Sequence, residues 1–511
     1  MGIIGGGCKI AKQVDELWSQ FVDLCIRRDQ KERGLLNKGL ITKFMETLKT
    51  ILDLFGNVVF VPIMLFVVAL ILKTPVKKAV ISALTCGVGL IGFNFVTGGY
   101  SPYLTKVMAT FAADTGFQLE AMDLGWQYTA AVAYSTTVGM LFIGIGLAFQ
   151  FLIFFIGWTP VFIPTDLWNN YSYIIWGTFV YQLTGSMLLA FWCMLLQVLY
   201  VSLFAEVVQK RWATYYGYPG TAMVAAHHIS NVPIFMALDW LWNKLHIDRV
   251  NFRPDAIQKK LGFLGDPMAI GFIVGVLVGV VGKFKHLGEL EAWAQIMQFA
   301  IATAATMAIF PKVGSIFAGA FTALTDASKK MVKKSGKSRE VYIAVNDALG
   351  YGESATLTAG LLSIPVYLIE AFFLPGNIVL PIMSLTSLAY RCEVPILLGD
   401  GNILKAMLSH AVYAAISLYI CTYNAPLFTE MVNGVGMSWE GADLVCGGIA
   451  AMPGMFAIYY AFSKGNYLFA ALETALYFVL AILYKKNKPA VDEYLERQAT
   501  GYKAKAAEAA E

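Results

Sequence analysis

The chain has 511 residues, of which 58% are hydrophobic and only 14% are charged, and its formal net charge is +4. Soluble domains carry about 25% charged residues, so this composition excludes an ordinary soluble protein. Several apolar runs are long enough to cross a hydrocarbon core of ~30 Å. The clearest are residues 54–72, 79–96, 138–158 and 188–205. The sequence predicts an all-α polytopic membrane protein, with about 10–12 transmembrane helices in a lipid bilayer.

Composition divides the chain into three parts. Residues 1–50 carry charged side chains, with apolar residues at helical spacing, and predict an interfacial or cytoplasmic amphipathic segment. Residues 51–486 contain the apolar runs and predict a single transmembrane domain. Residues 487–511 are polar and predict a solvated, mobile tail.

Two stretches near the start of this domain are unusually polar. Residues 97–122 are predicted to lie outside the spans, since Gly98, Gly99 and Pro102 follow the second apolar run. Residues 123–139, DLGWQYTAAVAYSTTVG, are too polar to face lipid and too apolar for an ordinary loop. They predict a re-entrant or discontinuous helix, because such a backbone is tolerated at membrane depth only where protein or water covers it.

Further spans are predicted along the rest of the domain. Residues 172–205 fit either one very long helix or two shorter ones. In the run 263–282, glycines recur about four residues apart, which allows another helix to approach closely. The predicted spans are 221–242, 263–282, 294–311, 355–374, 376–398, 405–424, 442–462 and 466–484.

Lys and Arg predict the orientation of the loops, because cytoplasmic loops are enriched in both. The richest loop, SKKMVKKSGKSR at 328–339, is predicted to be cytoplasmic, and residues 73–78 and 243–260 agree. Residues 159–171 and 424–441 lack Lys and Arg and are predicted to face outside.

Polar residues within this apolar chain are the candidate ligands, since ionisable groups at membrane depth are costly unless paired or hydrated. The stretch VNDALGYGESATLTAG, 345–360, places glycines where a helix would break and line a cavity. Carboxylate, amide and imidazole groups pair well with the hydroxyls of a carbohydrate. Glu353 is the first candidate, and the others are Asn346, Asp347, His227, His228, Tyr134, Thr137, Asp123, Asp400 and Asn402. Glu393 is a further polar residue in the same segment as Asp400 and Asn402.

Structural roles for some of these residues stay open. Asp347 could cap the following turn, and Asp123 could cap a loop. His227 and His228 could instead hydrogen-bond across helices. Asp166, in the DLWNN segment, is interpreted as an interfacial turn residue.

Catalytic motifs are not found. The chain has no Walker A loop, HEXXH motif or nucleophile elbow, and its cysteines form no CxxC pair. We therefore expect no metal, no cofactor, no nucleic-acid partner and no enzymatic activity of its own. Energy for accumulating a solute would come from an ion gradient or from a partner protein.

Several segments, spread over about residues 50–425, resemble one family in order and spacing. They include IGFNFV, MDLGW, DLWNNYSYIIWGTFVYQLTGS, IQKKLGFLGDPMAIGFIVGVLVGVVG, LPGNIVLP and GDGNILKA. The chain resembles the membrane subunit, enzyme IIC, of the galactitol-type sugar phosphotransferase system (PTS) in the ascorbate–galactitol superfamily. This resemblance implies an elevator-type transporter core, a homodimer and a location in the inner (plasma) membrane of a bacterium.

The resemblance also implies that different proteins carry out transport and phosphorylation. The permease would carry a sugar alcohol, enzyme IIB would phosphorylate it on the cytoplasmic side, and enzyme IIA would supply IIB. The polar lining departs from the family, which has Asp at Asn346, His at Glu353, Gln at Thr137 and Asp at Ser384. Ser384 thereby joins the candidate ligands. Another polyol, a pentitol or a sugar acid is compatible with these departures.

Two other functions remain open from the sequence. An ion-coupled secondary transporter of a polyol or sugar acid could use Asp347, Glu353 and the histidines as proton carriers. A carbohydrate receptor or scaffold could keep the fold without transport.

Overall fold

A computed structural model provides the structure of the chain. It describes residues 73–115, 120–250, 252–254, 267–334, 340–381, 384, 387–437, 439 and 442–508, with 59, 62, 63, 65–67, 69 and 70. The predicted amphipathic segment 1–50 and most of the predicted span 54–72 lie outside these residues.

The described chain is mainly helical. Its α-helices are α1 (Val76–Thr115), α2 (Gly125–Ser135), α3 (Thr137–Phe155), α4 (Tyr171–Thr184), α5 (Met187–Tyr215), α6 (Ala226–Ile229), α7 (Val232–Lys244), α8 (Pro267–Gly282), α9 (Leu290–Lys334), α10 (Ala348–Tyr351), α11 (Ser354–Phe373), α12 (Leu388–Leu398), α13 (Ile403–Gly434), α14 (Pro453–Ser463) and α15 (Tyr467–Glu508). Shorter 3₁₀ helices span Ile163–Asn170, Ile247–Arg249 and Gly448–Ala451. The strands are β1 (Ala121–Asp123), β2 (Val161–Phe162), β3 (Thr221–Met223), β4 (Tyr342–Val345), β5 (Val379–Leu380) and β6 (Leu444–Cys446).

Five helices of the described chain, α3, α5, α11, α13 and α15, are long and apolar enough to cross a membrane. They match the predicted spans 138–158, 188–205, 355–374, 405–424 and 466–484. The chain is therefore an all-α polytopic membrane protein, as its composition predicts.

The structure specifies two segments of the first half. Residues 97–115 are helical, because α1 continues through them with Pro102 inside the helix. Residues 172–205 hold two helices, which is one of the two arrangements that the sequence left open. Gly185 ends α4 in the left-handed region (φ +66°), and the side chain of Ser186 caps the start of α5.

The C-terminal residues also differ from the expected mobile tail. Helix α15 continues to Glu508, and Leu495 and Ala499 on it are buried. The carboxylate of Glu496 pairs with Arg211 of α5 at 3.0 Å. These contacts attach the extension to the transmembrane domain.

Three predicted spans prove to be interrupted. Residues 221–242 begin with β3 and continue through α6 into α7, and residues 376–398 begin with β5 before α12. Residues 442–462 contain β6, a 3₁₀ helix and α14. The segment 123–139 is likewise discontinuous, as predicted, with α2 and α3 separated at Thr136.

The six short strands form two parallel sheets of three. One sheet has the order β5-β1-β6, with Ala121 opposite both Val379 and Leu444. The other has the order β2-β4-β3, with Ile343 opposite both Phe162 and Thr221. Pairing of these strands satisfies backbone groups that the helix interruptions leave unpaired, as an apolar environment requires.

The order of the strands reveals an internal repeat. Strands β1, β2 and β3 come from the first half of the described chain, and β4, β5 and β6 come from the second. Each sheet takes its central strand from one half and its two outer strands from the other, so exchanging the halves maps one sheet onto the other. Repeats of this kind, with discontinuous helices at their interface, are the framework of many transporters.

The two central strands lead into similarly broken helices. After β1, Thr136 separates α2 from α3 in an extended conformation, and its hydroxyl accepts from the N–H of Gly139 at 2.9 Å. After β4, Glu353 separates α10 from α11, also in an extended conformation. Both residues are N-caps, which shows the repeat at the level of local structure.

The glycine spacing in α8 has the predicted consequence. A Cβ added at Gly275 would lie 2.5 Å from the Cα of Ala300 in α9, and one at Gly279 would lie 2.9 Å from Ile296. Helices α8 and α9 therefore pack closely because these positions lack side chains.

We predict that Gly275→Ala lowers the thermal stability of the purified protein. The added methyl group overpacks the interface between α8 and α9, which lowers the free energy of unfolding by about 1–3 kcal/mol. The matched control is Gly98→Ala in α1, where an added Cβ meets nothing within 4 Å. Thermal melting in detergent measures both variants. Equal melting temperatures for the two would contradict the packing account.

Candidate functional site

The sheet β2-β4-β3 brings three candidate residues together. The carboxyl ends of parallel strands lie at the same edge of a sheet, and Met223 of β3 is paired with Val345 of β4. The chain after β3 carries His227 and His228 on α6, and the chain after β4 carries Asp347. This common edge explains why residues over a hundred positions apart become neighbours.

Asp347 lies between the two histidines. Its Oδ2 is 2.7 Å from Nε2 of His227 and 3.1 Å from Nε2 of His228. Nδ1 of His227 is 3.1 Å from the hydroxyl of Ser172 on α4, which orients that ring. All four side chains are buried. In the described chain no hydrogen-bond donor reaches Oδ1 of Asp347, so this oxygen can accept from a ligand.

The same three residues are the group in the described chain that could hold a metal ion. Their ligand atoms lie within 4.8 Å of one another, and imidazole and carboxylate suit zinc and similar ions. The hydrogen bonds from both histidines to Oδ2 of Asp347 also form without a metal ion, so the arrangement does not require one.

Aromatic rings surround this cluster. Tyr134 lies 6.5 Å from Tyr171 between ring centroids, and Tyr171 lies 6.3 Å from His227. On the other side, Tyr390 of α12 is nearly parallel to His228, with centroids 6.1 Å apart. Tyrosines can cover the C–H face of a carbohydrate and donate to its hydroxyls.

Asp166 also belongs to this region, which sequence reasoning missed. It is only 3% exposed, so it is buried within the protein and does not lie on a surface turn. Asn169 donates to its Oδ2 at 2.7 Å, and the side chain of Asn346 is near enough to interact with its carboxylate. The position of Asp166 just after β2 would have been informative only if that two-residue strand had been recognised.

Glu353 has a different environment from Asp347. Its carboxylate accepts from the backbone N–H groups of Ala355 and Thr356 at 3.1 and 2.9 Å, and from the Thr356 hydroxyl at 2.8 Å. Asp347 makes no such cap hydrogen bond. Glu353 therefore holds the start of α11, and Asp347 faces the histidines.

Asp123 and Ser384 lie at the other sheet, β5-β1-β6. Oδ1 of Asp123 accepts from the N–H groups of Gly125 and Gly448 at 3.0 and 2.9 Å, and Oδ2 accepts from that of Ser384 at 2.8 Å. These bonds tie three chain segments together at the strand ends. Thr137, the remaining candidate of this segment, is an exposed residue at the start of α3.

The structure does not bring Asp400 and Asn402 to the histidines. Asp400 pairs with Arg211 at 3.1 Å. Asn402 caps α13 by accepting from the N–H of Lys405 at 3.1 Å, and Lys405 pairs with Asp239. Arg211 also pairs with Glu496, so these contacts join α5 to α15 and α7 to α13.

Comparison with known proteins identifies the family. Residues 50–443 match the family described as the PTS system sugar-specific permease component, EIIC-GAT. The chain belongs to this family. It is also 29% identical to a putative permease IIC component of Escherichia coli K12, over 76% of this chain and 87% of that protein.

A second relative is the PTS system galactitol-specific EIIC component of Escherichia coli K12. It is 23% identical over 83% of this chain and 92% of its own length. The same figures hold for the galactitol-specific EIIC component of Escherichia coli O157:H7. The chain is thus a membrane permease of the phosphotransferase system, in agreement with the resemblance found in the sequence.

We predict that Glu353→Ala lowers the free energy of unfolding by about 1 kcal/mol, because α11 loses its N-cap. Glu353→Gln keeps one acceptor oxygen and should lose less. Thermal melting measures both against Glu430→Ala, an exposed position on α13. Full stability of Glu353→Ala together with lost sugar uptake would assign Glu353 to the ligand instead.

Proposed function

We propose that the permease binds its carbohydrate at the cluster around Asp347. The observation that supports this most is the difference in hydrogen bonding between the two carboxylate oxygens of Asp347. Oδ2 is occupied by His227 and His228, while Oδ1 has no donor in the described chain. A carboxylate at membrane depth is costly unless paired or hydrated, so a hydroxyl or water at Oδ1 completes the site.

Neighbouring groups suit a chain of hydroxyls. Asn346 offers a further donor and acceptor next to Asp347, and Asp166 adds a second carboxylate. Tyr134 lies near the cluster through its contact with Tyr171. Tyr390 supplies an apolar face for the C–H groups. The galactitol-specific names of two relatives support a sugar alcohol or a related carbohydrate as the substrate.

We assign scaffold roles to several other candidates. The side chains of Glu353, Asp123 and Asn402 accept from backbone N–H groups. Ser384 donates its own backbone N–H to Asp123, and Asp400 pairs with Arg211. Thr137 is exposed at a helix start. Their contribution to substrate binding is indirect, through the positions of α3, α11, α12 and α13.

Phosphorylation would be carried out by partner proteins. We propose that enzyme IIB phosphorylates the carbohydrate on the cytoplasmic side and that IIA supplies IIB, with the permease as a homodimer in a bacterial inner membrane. The phosphorylated product carries charge and cannot recross the bilayer, which makes uptake accumulative. Membership of the phosphotransferase permease family supports this proposal.

We predict that Asp347→Asn reduces sugar uptake at least about tenfold, a loss of ~1.4 kcal/mol or more in binding. The amide matches the carboxylate in size, but it has no negative charge. Its hydrogen bonds with the two histidines and with the ligand are therefore weaker than those of the carboxylate. Asp443→Asn, at an exposed loop position, is the matched control. Uptake of labelled sugar, normalised to membrane-inserted protein, gives the comparison.

Wild-type uptake by Asp347→Asn would remove the cluster from the transport pathway.

The energy source of uptake is tested separately, in vesicles loaded with phosphoenolpyruvate and the soluble phosphotransferase proteins. Uptake should require them and should survive an uncoupler. Uptake that stops with the uncoupler and needs no phosphoenolpyruvate would instead favour ion-coupled transport.

A further inference from the structure

A second polar cluster lies beside the sheet β5-β1-β6, around Arg391 of α12. Arg391 is only 7% exposed. Within the described chain its side chain makes one hydrogen bond, from Nη1 to the hydroxyl of Tyr367 on α11 at 3.2 Å. A guanidinium carries five N–H donors, so most of these donors have no protein partner there.

The neighbouring acidic group does not occupy these donors. Asp123 lies close enough for its charge to act on Arg391, but among the described residues the two form no direct ion pair. Both oxygens of Asp123 accept from backbone N–H groups instead. Asp123 thus offsets the charge of Arg391 through space and leaves its donors available.

His410 of α13 provides an independent observation at the same place. The residue is fully buried, and neither ring nitrogen has a hydrogen-bond partner among the described residues. Its ring centroid lies 5.9 Å from that of Tyr367, and Arg391 is near enough to act on it electrostatically. Buried polar groups in proteins are nearly always hydrogen-bonded, so the unpaired imidazole of His410 near the incompletely paired Arg391 points to a ligand.

Helix α12 connects this cluster to the one around Asp347. Tyr390 packs against His228, and the next residue, Arg391, also acts electrostatically on His228. Consecutive residues of this short helix therefore reach both clusters, and Arg391 is near enough to the cluster around Asp347 for its charge to act on it.

We propose that Arg391, with Tyr367 and His410, binds a carboxylate, and that the substrate is a sugar acid whose hydroxyls meet Asp347. Arginine is suited to this role, because its planar guanidinium matches the two oxygens of a carboxylate. The inference rests on the proposed function and narrows its substrate class.

The first test compares three ligands on the wild-type protein in lipid nanodiscs. The ligands are six-carbon sugar alcohols, the aldonic acids of the same stereochemistry and the neutral amides of those acids. Calorimetry should give at least tenfold tighter binding for one acid than for its alcohol and its amide. Equal or weaker binding of every acid overturns the inference, since the amide differs from the acid chiefly in charge.

The second test uses variants. Arg391→Gln should abolish the preference for the acid and retain binding of the alcohol, and Arg391→Lys should keep part of the preference. The matched control is Arg249→Gln, an exposed arginine, which should bind as the wild type does. An unchanged acid preference in Arg391→Gln overturns the inference. If Arg391→Gln fails to fold, the wild-type comparison of acid and amide decides.

The remaining outcomes separate this inference from the proposed function. Binding of sugar alcohols with no binding of acids contradicts the carboxylate site and leaves the carbohydrate permease standing. If alcohols, acids and amides all fail to bind the folded protein, the inference fails together with the proposed binding site at Asp347.

Discussion

A buried carboxylate needs hydrogen-bond or charged partners, and this requirement determines the arrangement of side chains around Asp347. Two imidazoles meet one of its oxygens, and Ser172 fixes one of those rings. The histidines come from the first half of the chain and the carboxylate from the second. The hydrogen bonds of the cluster therefore depend on both halves, and a movement that separates them would expose Asp347.

The two small sheets bring residues from the two halves of the chain together. A continuous helix satisfies its own backbone, but an interrupted one needs other partners at membrane depth. Strands of two to four residues supply those partners, and each sheet joins strands from both halves. The chain segments that leave the strand ends carry Asp347 and His227 at one sheet and Asp123 at the other. Side chains that bond to backbone, such as Asp123 and Glu353, then fix where each broken helix resumes.

Hydropathy predicts most of the spans, because a helix that crosses a membrane must be apolar over about 18 or more residues. The strands could not be predicted in this way. Segments as short as Val161–Phe162 show no alternating pattern. Strands β3, β5 and β6 lie within runs that hydropathy predicts as helical spans. The same limitation hid Asp166, which follows the short strand β2.

The roles of the acidic residues show a second limit. Asp347 and Glu353 both precede helices and both follow small or polar residues, so the sequence predicts either as a cap or a ligand. The difference lies in tertiary contacts: Glu353 faces two backbone N–H groups, whereas Asp347 faces histidines contributed by another part of the chain. The sequence did predict both histidines and Asp347 as candidates, and the structure brings these three together. Their role in substrate binding stays a prediction.

The most direct measurement is a cryo-electron microscopy structure of the protein in lipid nanodiscs, saturated with a bound sugar alcohol or sugar acid. The account predicts ligand density within hydrogen-bonding distance of Oδ1 of Asp347, with both histidines still on Oδ2. Density at a separate place, with Asp347 sealed between protein groups, would contradict it.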